Sequence, residues 1–143
     1  MARPFAPITM LQRATQNKFI KNYDFIYPRT NDSYTVTSVC GHLMSSDFGP
    51  AHRNWSSCDP FALFEAPVET RVAEDKKAIE RNLTSEARTS QMLMIWTDCD
   101  REGENIGMEV AKVCRKAKVG IRVKRARFSA IIAQQVPCPT IFY

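Results

Sequence analysis

The sequence predicts an α/β fold built on a largely parallel sheet, and three observations support it. An apolar segment of strand length, Met92–Trp96, stops abruptly at Thr97 and then at Asp98, Asp100 and Glu102. Beyond Gly103 the apolar residues change to helical spacing, with Ile106, Val110, Val113 and Ala117 on one face. After that helix, IRVKRARF alternates as a second strand. Strand, acidic turn, helix and strand in this order form one crossover unit, in which the second strand ends beside the acidic turn.

The remaining elements follow from the N-terminus. Residues 1–16 show no clear period and predict an irregular arm. Phe19, Ile20, Tyr23 and Phe25 form an apolar patch that ends in a turn at Tyr27–Asp32, where Pro28 and Asn31 favour a bend. Tyr34–Cys40, YTVTSVC, alternates as a strand and leads into Gly41-His42-Leu43, so the histidine is expected at a sheet end. Asp47–Pro67 has three prolines and predicts a loop, whose Trp55, Phe61 and Phe64 are expected to anchor it on the core rather than to stack on bases. Arg71–Arg88 holds Val72, Ile79, Leu83 and Ala87 among many charges with no internal Gly or Pro, a surface helix with a modest apolar face.

Composition bounds the function. The 143 residues, 44% apolar, suffice for one domain with a core. No apolar run has the length of a membrane span, and the N-terminus lacks a signal-peptide pattern, which points to cytosol or nucleus. Five cysteines without a C-x-x-C pair suggest reduced thiols rather than a disulfide framework or a zinc site. In such a setting the N-x-S/T sequons at Asn31, Asn54 and Asn82 are chance matches. The net charge of +5 is unevenly placed, because no acidic residue occurs from Val110 to Tyr143 while eight Lys and Arg do. Lys112, Arg115, Lys116 and Lys118 read as the solvated face and C-terminal turn of the helix. Arg125 and Arg127 lie instead at the end of the second strand, beside the acids.

Carboxylates crowded as at Asp98, Asp100 and Glu102 repel one another unless a hard divalent cation sits among them. Such a turn followed by a basic stretch suits phosphodiester chemistry. An EF-hand calcium loop is the competing pattern, with Gly103 at the turn and Glu109 at the last position. Its flanks argue against it, since the residues before Asp98 read as a strand and the helix has begun by Ile106, and it stays as the weaker alternative.

TDCDREGENIG resembles the D-x-D-x-E signature of Toprim domains in the wording of type IA DNA topoisomerases. NKFIKNYDF, the stretch from VTSVCGHL to FEAPVET, and VKRARFSAI resemble the eukaryotic topoisomerase III branch. The resemblance implies a Rossmann-like Toprim sheet, parallel with helices on both faces, over residues 17–135, with an irregular tail at 136–143. It further implies that Asp98, Asp100 and Glu102 hold Mg²⁺, with Glu102 and Arg125 in the catalytic centre. His42, Arg101, Arg125 and Arg127 are the implied DNA contacts. The family's first Toprim strand ends in a glutamate-lysine pair that has no counterpart here, so that strand is expected to be missing. The nucleophilic tyrosine belongs to a later domain, and Tyr27, although its neighbours copy the wording around it, sits in a turn. The implied activity is ATP-independent cutting and resealing of single-stranded DNA in the nucleus, alongside a RecQ-type helicase and an OB-fold accessory protein, with the chain alone inactive. A Mg²⁺-dependent nuclease-like module and a non-catalytic DNA-binding fragment remain the alternatives.

Overall fold

The computed structural model describes residues 8–28 and 30–128. Within them the chain forms seven strands and two α-helices in three small sheets. Strands β1 (Leu11–Ala14), β2 (Lys21–Tyr27) and β3 (Asp32–Val36) make an antiparallel meander in the order of the sequence. Local pairing dictates this, because the turn between β2 and β3 is closed by an Asn31 N–H donating to the Tyr27 carbonyl at 2.8 Å. Asn31 adopts the left-handed conformation, φ 58°, which asparagine tolerates better than most residues. Across the hairpin the Phe25 and Tyr34 rings stack with centroids 5.5 Å apart.

Two predictions are corrected here. The irregular arm expected at residues 1–16 contains β1, whose four residues show no apolar alternation and owe their extended form to pairing with β2. The strand expected at Tyr34–Cys40 starts and ends earlier and pairs antiparallel with β2, so it does not join the strand that delivers the acids.

A second hairpin, β4 (Met44–Phe48) with β5 (Val68–Val72), is antiparallel. Between its strands, short 3-10 turns at Pro50–His52 and Pro60–Phe64 each begin at a proline, whose fixed φ suits the first helical position. The expected anchoring of this loop is overturned: Trp55, Phe61 and Phe64 are 83%, 81% and 85% exposed. The proline-started turns hold the loop by their own backbone bonds, so its rings are not needed inside. The predicted surface helix begins later than expected, as α1 (Lys77–Thr89), because Val72 belongs to β5. It buries Ile79, Leu83 and Ala87, one residue per turn on a single stripe.

The predicted crossover unit forms as expected. Strand β6 (Met92–Ile95) and β7 (Arg122–Arg125) pair parallel, with Met92 opposite Arg122 and Ile95 opposite Arg125, and α2 (Arg101–Ala117) connects them. Among the described residues this is the one parallel pair, so the sheet is less parallel than the order of elements implied. The fold is α/β, with its core between the helices and the strands. Leu43, Val72, Ile79, Leu83, Val110, Val113 and Cys114 meet there, and α1 packs against α2.

The antiparallel meander is tied to α1 by polar groups. Arg13 donates to both carboxylates of Asp24 and Glu86, and the buried Asn22 exchanges two 2.9 Å bonds with Asn82 on α1. Asn22 also donates to Glu86 and Asn82 to Thr37, so every member of the network has a partner.

Candidate metal and phosphate site

The site is the turn between β6 and α2. Ile95 is buried at the strand end, and the next residues rise out of the sheet. Asp100 is the N-cap of α2, its Oδ1 accepting from the Gly103 N–H at 2.7 Å. Thr97 Oγ1 donates to the Gly103 carbonyl at 2.7 Å, fastening the strand end to the first helical turn. A cap and a staple therefore define the path of the acidic turn.

Two glycines make that path sterically available. A Cβ on Gly103 would lie 2.1 Å from the Asp98 carbonyl oxygen, and one on Gly107 would lie 2.9 Å from the Ile95 side chain. The first allows the turn to fold back on the helix, and the second lets α2 lie close on β6.

Asp98, Asp100 and Glu102 line one open cleft of about 380 Å³, with Trp96, Gly41 and Phe128 among its other walls. Among the described residues the exposed side chains of Asp98 and Glu102 have no hydrogen-bond or ion-pair partner, whereas Asp100 has one oxygen committed to its cap. Hard oxygen donors on an open cleft fit Mg²⁺, which is usually held by one or two carboxylates with waters and a substrate phosphate. Among the described residues no three metal-ligating side chains stand close enough to form a cage. The donor set therefore suits a shared, partly hydrated ion rather than an enclosed one.

Arg125 lies beneath the turn, 1% exposed. Its Nη2 donates to the Asp98 carbonyl at 2.7 Å, Nη1 to the carbonyls of Ala126 (2.8 Å) and Ile95 (3.3 Å), and Nε to Glu104 Oε1 at 3.0 Å. The guanidinium thus binds the backbone that presents the acids, and its charge is met by Glu104. The guanidinium expected at a phosphate is directed in this structure at the backbone of the turn. Arg101 and Arg127 are exposed, one in the first turn of α2 and the other just past β7.

His42 stands half-exposed next to Gly41, which adopts φ +66°. Its Nδ1 lies 3.1 Å from Glu109 Oε1 on α2, so the histidine is held to the same helix that carries the acids. Tyr27 is away from this cleft, its ring edge-on to Tyr34 with centroids 6.1 Å apart. Sequence reasoning missed Glu109 and Glu104 as site residues. Glu109 had a signal: it falls between Ile106 and Val113 at helical spacing, an acid on an apolar face.

The Toprim domain profile matches residues 10–131. The chain is 44% identical over 130 residues to DNA topoisomerase 3-alpha of Arabidopsis thaliana, which covers 90% of the chain and 14% of that relative. It is 46% identical over 129 residues to DNA topoisomerase 3-alpha of Homo sapiens, covering 89% and 13%. With DNA topoisomerase 3 of Dictyostelium discoideum it shares 42% identity over 142 residues, covering 94% and 17%. The chain therefore spans less than a fifth of the length of these three relatives. Their names do not favour a nuclease-like module. With the profile covering most of its length and the D-x-D-x-E acids standing at the end of a parallel strand, the chain belongs to the Toprim domain family.

Proposed function

We propose that this chain is the Toprim portion of a type IA DNA topoisomerase of the topoisomerase III branch, binding Mg²⁺ and a phosphate of single-stranded DNA in the nucleus. The observation that supports this best is the three carboxylates lining one cleft where β6 ends. Asp98, Asp100 and Glu102 would share a hydrated metal in this cleft, some of them through its waters, since among the described residues they form no preset three-ligand cage. Bound there, Mg²⁺ would neutralise charge on the scissile phosphate and orient it. Arg125 keeps the Asp98 carbonyl in place, Glu104 balances Arg125, and the exposed Arg101 and Arg127 are the side chains free to meet neighbouring phosphates. His42 is the contact offered from the loop before β4. Cutting and resealing require a nucleophilic tyrosine, and Tyr27 is occupied elsewhere, so the chain alone should not relax supercoils. A RecQ-type helicase and an OB-fold accessory protein are the partners this reading implies for the whole enzyme.

The test is a Mg²⁺ titration of the chain by NMR, following the amides of Asp98, Asp100, Glu102 and Gly103. Saturable shifts confined to these residues are expected, and they should vanish in Asp98→Asn, Asp100→Asn. That control removes charge but keeps the cap, since asparagine caps a helix as well as aspartate does. Shifts that persist in the double variant would overturn the metal assignment.

A further inference from the structure

We propose that Glu109 is a positioning residue that sets the tautomer and placement of His42, and so decides what the histidine can offer a bound strand. The proposal rests on the reading of His42 as a DNA contact. Glu109 is 8% exposed on the apolar side of α2, a costly location for a carboxylate unless its oxygens are bonded. Its partners among the described residues come from one short segment. Oε2 accepts from the backbone N–H groups of Leu43 at 2.7 Å and Met44 at 3.2 Å, and Oε1 faces His42 Nδ1 at 3.1 Å. The neighbouring Leu43 side chain is fully buried in the core, so the segment is pinned by a carboxylate on one side and an apolar plug on the other.

The chemistry of these partners assigns the proton. Backbone N–H groups only donate, so Oε2 is an acceptor, and an ionised carboxylate requires Nδ1 of the imidazole to supply the hydrogen to Oε1. A neutral His42 then carries its proton on Nδ1 and turns a lone pair outward at Nε2. It can accept from a water or hydroxyl but cannot donate to a phosphate oxygen. Only the imidazolium can give phosphate a hydrogen at Nε2. Orientation of an imidazole by a carboxylate on its second nitrogen is a general way of fixing its role.

The experiment is long-range ¹H–¹⁵N spectroscopy of the 143-residue chain under alkaline conditions, where the imidazole is neutral. The second histidine, His52, gives an internal reference. His42 should show a protonated Nδ1 and a bare Nε2. In Glu109→Gln the amide oxygen can still accept from Leu43 and Met44, while its NH₂ faces Nδ1, so the ring should switch to Nε2–H. A wild-type ring protonated on Nε2 overturns the proposal, and so does a ring in Glu109→Gln that stays protonated on Nδ1. Protection of the Leu43 and Met44 amides from exchange certifies that the variant keeps its fold; if it does not, the wild-type spectrum decides alone. Affinity for a single-stranded oligonucleotide separates the two readings. If His42→Ala binds as tightly as wild type in mildly acidic buffer, where an imidazolium can donate at Nε2, the DNA contact fails while the tautomer result stands. A roughly three- to tenfold loss supports the contact, as expected for one charge-assisted bond to phosphate.

Discussion

Gly103 shows how little space the acidic turn leaves. Any side chain there meets the Asp98 carbonyl, which Arg125 holds from below, so neither the turn nor the helix can give way cheaply. Gly103→Ala should destabilise the chain by about 1–3 kcal/mol, the range of overpacked sites, and abolish localised Mg²⁺ shifts. Chemical denaturation and the same titration would check both effects. The cysteines differ as sharply by position. Burial pushes the Cys114 thiol up to about 11, whereas Cys40 and Cys99 are exposed. At about pH 8 roughly one part in a thousand of Cys114 is thiolate, so it should resist alkylation until the chain is denatured. Cys40 and Cys99 should be modified in the native protein, a difference that mass spectrometry of digested peptides resolves. The placement of Asp98, Asp100 and Glu102 between a strand and a helix is legible in the sequence, because the apolar run stops before them and helical spacing starts after them. The place of Arg125 beside the acidic turn is legible, whereas its bonds to the Asp98, Ile95 and Ala126 carbonyls are not, since a strand pattern does not tell which way a guanidinium turns.

At the scale of elements, the meander is fastened to α1 through Arg13, Asn22, Asp24, Asn82 and Glu86 rather than through a broad apolar face. The Arg13 guanidinium, and after it the Thr35 hydroxyl, hold the Asp24 carboxyl below its ordinary value. Asp24 and then Glu86 hold the Arg13 guanidinium above its own, which leaves it charged at every relevant pH. Because the folded pKa of Asp24 is the lower one, its stabilisation is complete above the unfolded value of about 4. It is lost as pH falls from there through the depressed folded value. Thermal midpoints measured between about pH 7 and pH 3 should therefore drop more in wild type than in Asp24→Asn. Equal drops would mean that the pairing is unimportant for stability. The meander was the least legible element. LQRA has no strand pattern of its own, and the hairpin that captures Asp32–Val36 is decided by a left-handed Asn31 and ring stacking across strands.

For the whole molecule, the charge distribution makes a prediction that is independent of the metal. Lys112, Arg115, Lys116, Arg122 and Arg127 are exposed in a stretch without acids, whereas Lys118 donates to the Ser90 carbonyl at 2.6 Å and serves the fold. If this face meets single-stranded DNA, affinity should fall with salt with a log–log slope of about −0.7 for each phosphate neutralised. Lys112→Glu, Arg115→Glu should then flatten the slope by roughly one to two units. An unchanged slope in the double variant would return these residues to a solvated helix face. The crossover unit was fully legible because a buried strand, a capped turn and a periodic helix each agree with the others. The two hairpins and the exposed aromatic loop were not, since their form depends on pairing and on proline-started turns rather than on apolar period. One consequence concerns distance. Helix α2 begins at the acids and holds Glu109, which tethers the histidine loop, so a single rod measures the gap between them. At about 1.5 Å per residue, Asp100 and Glu109 are spaced by roughly 13 Å along the axis. One continuous helix therefore links the acidic turn to the histidine loop and keeps their spacing fixed.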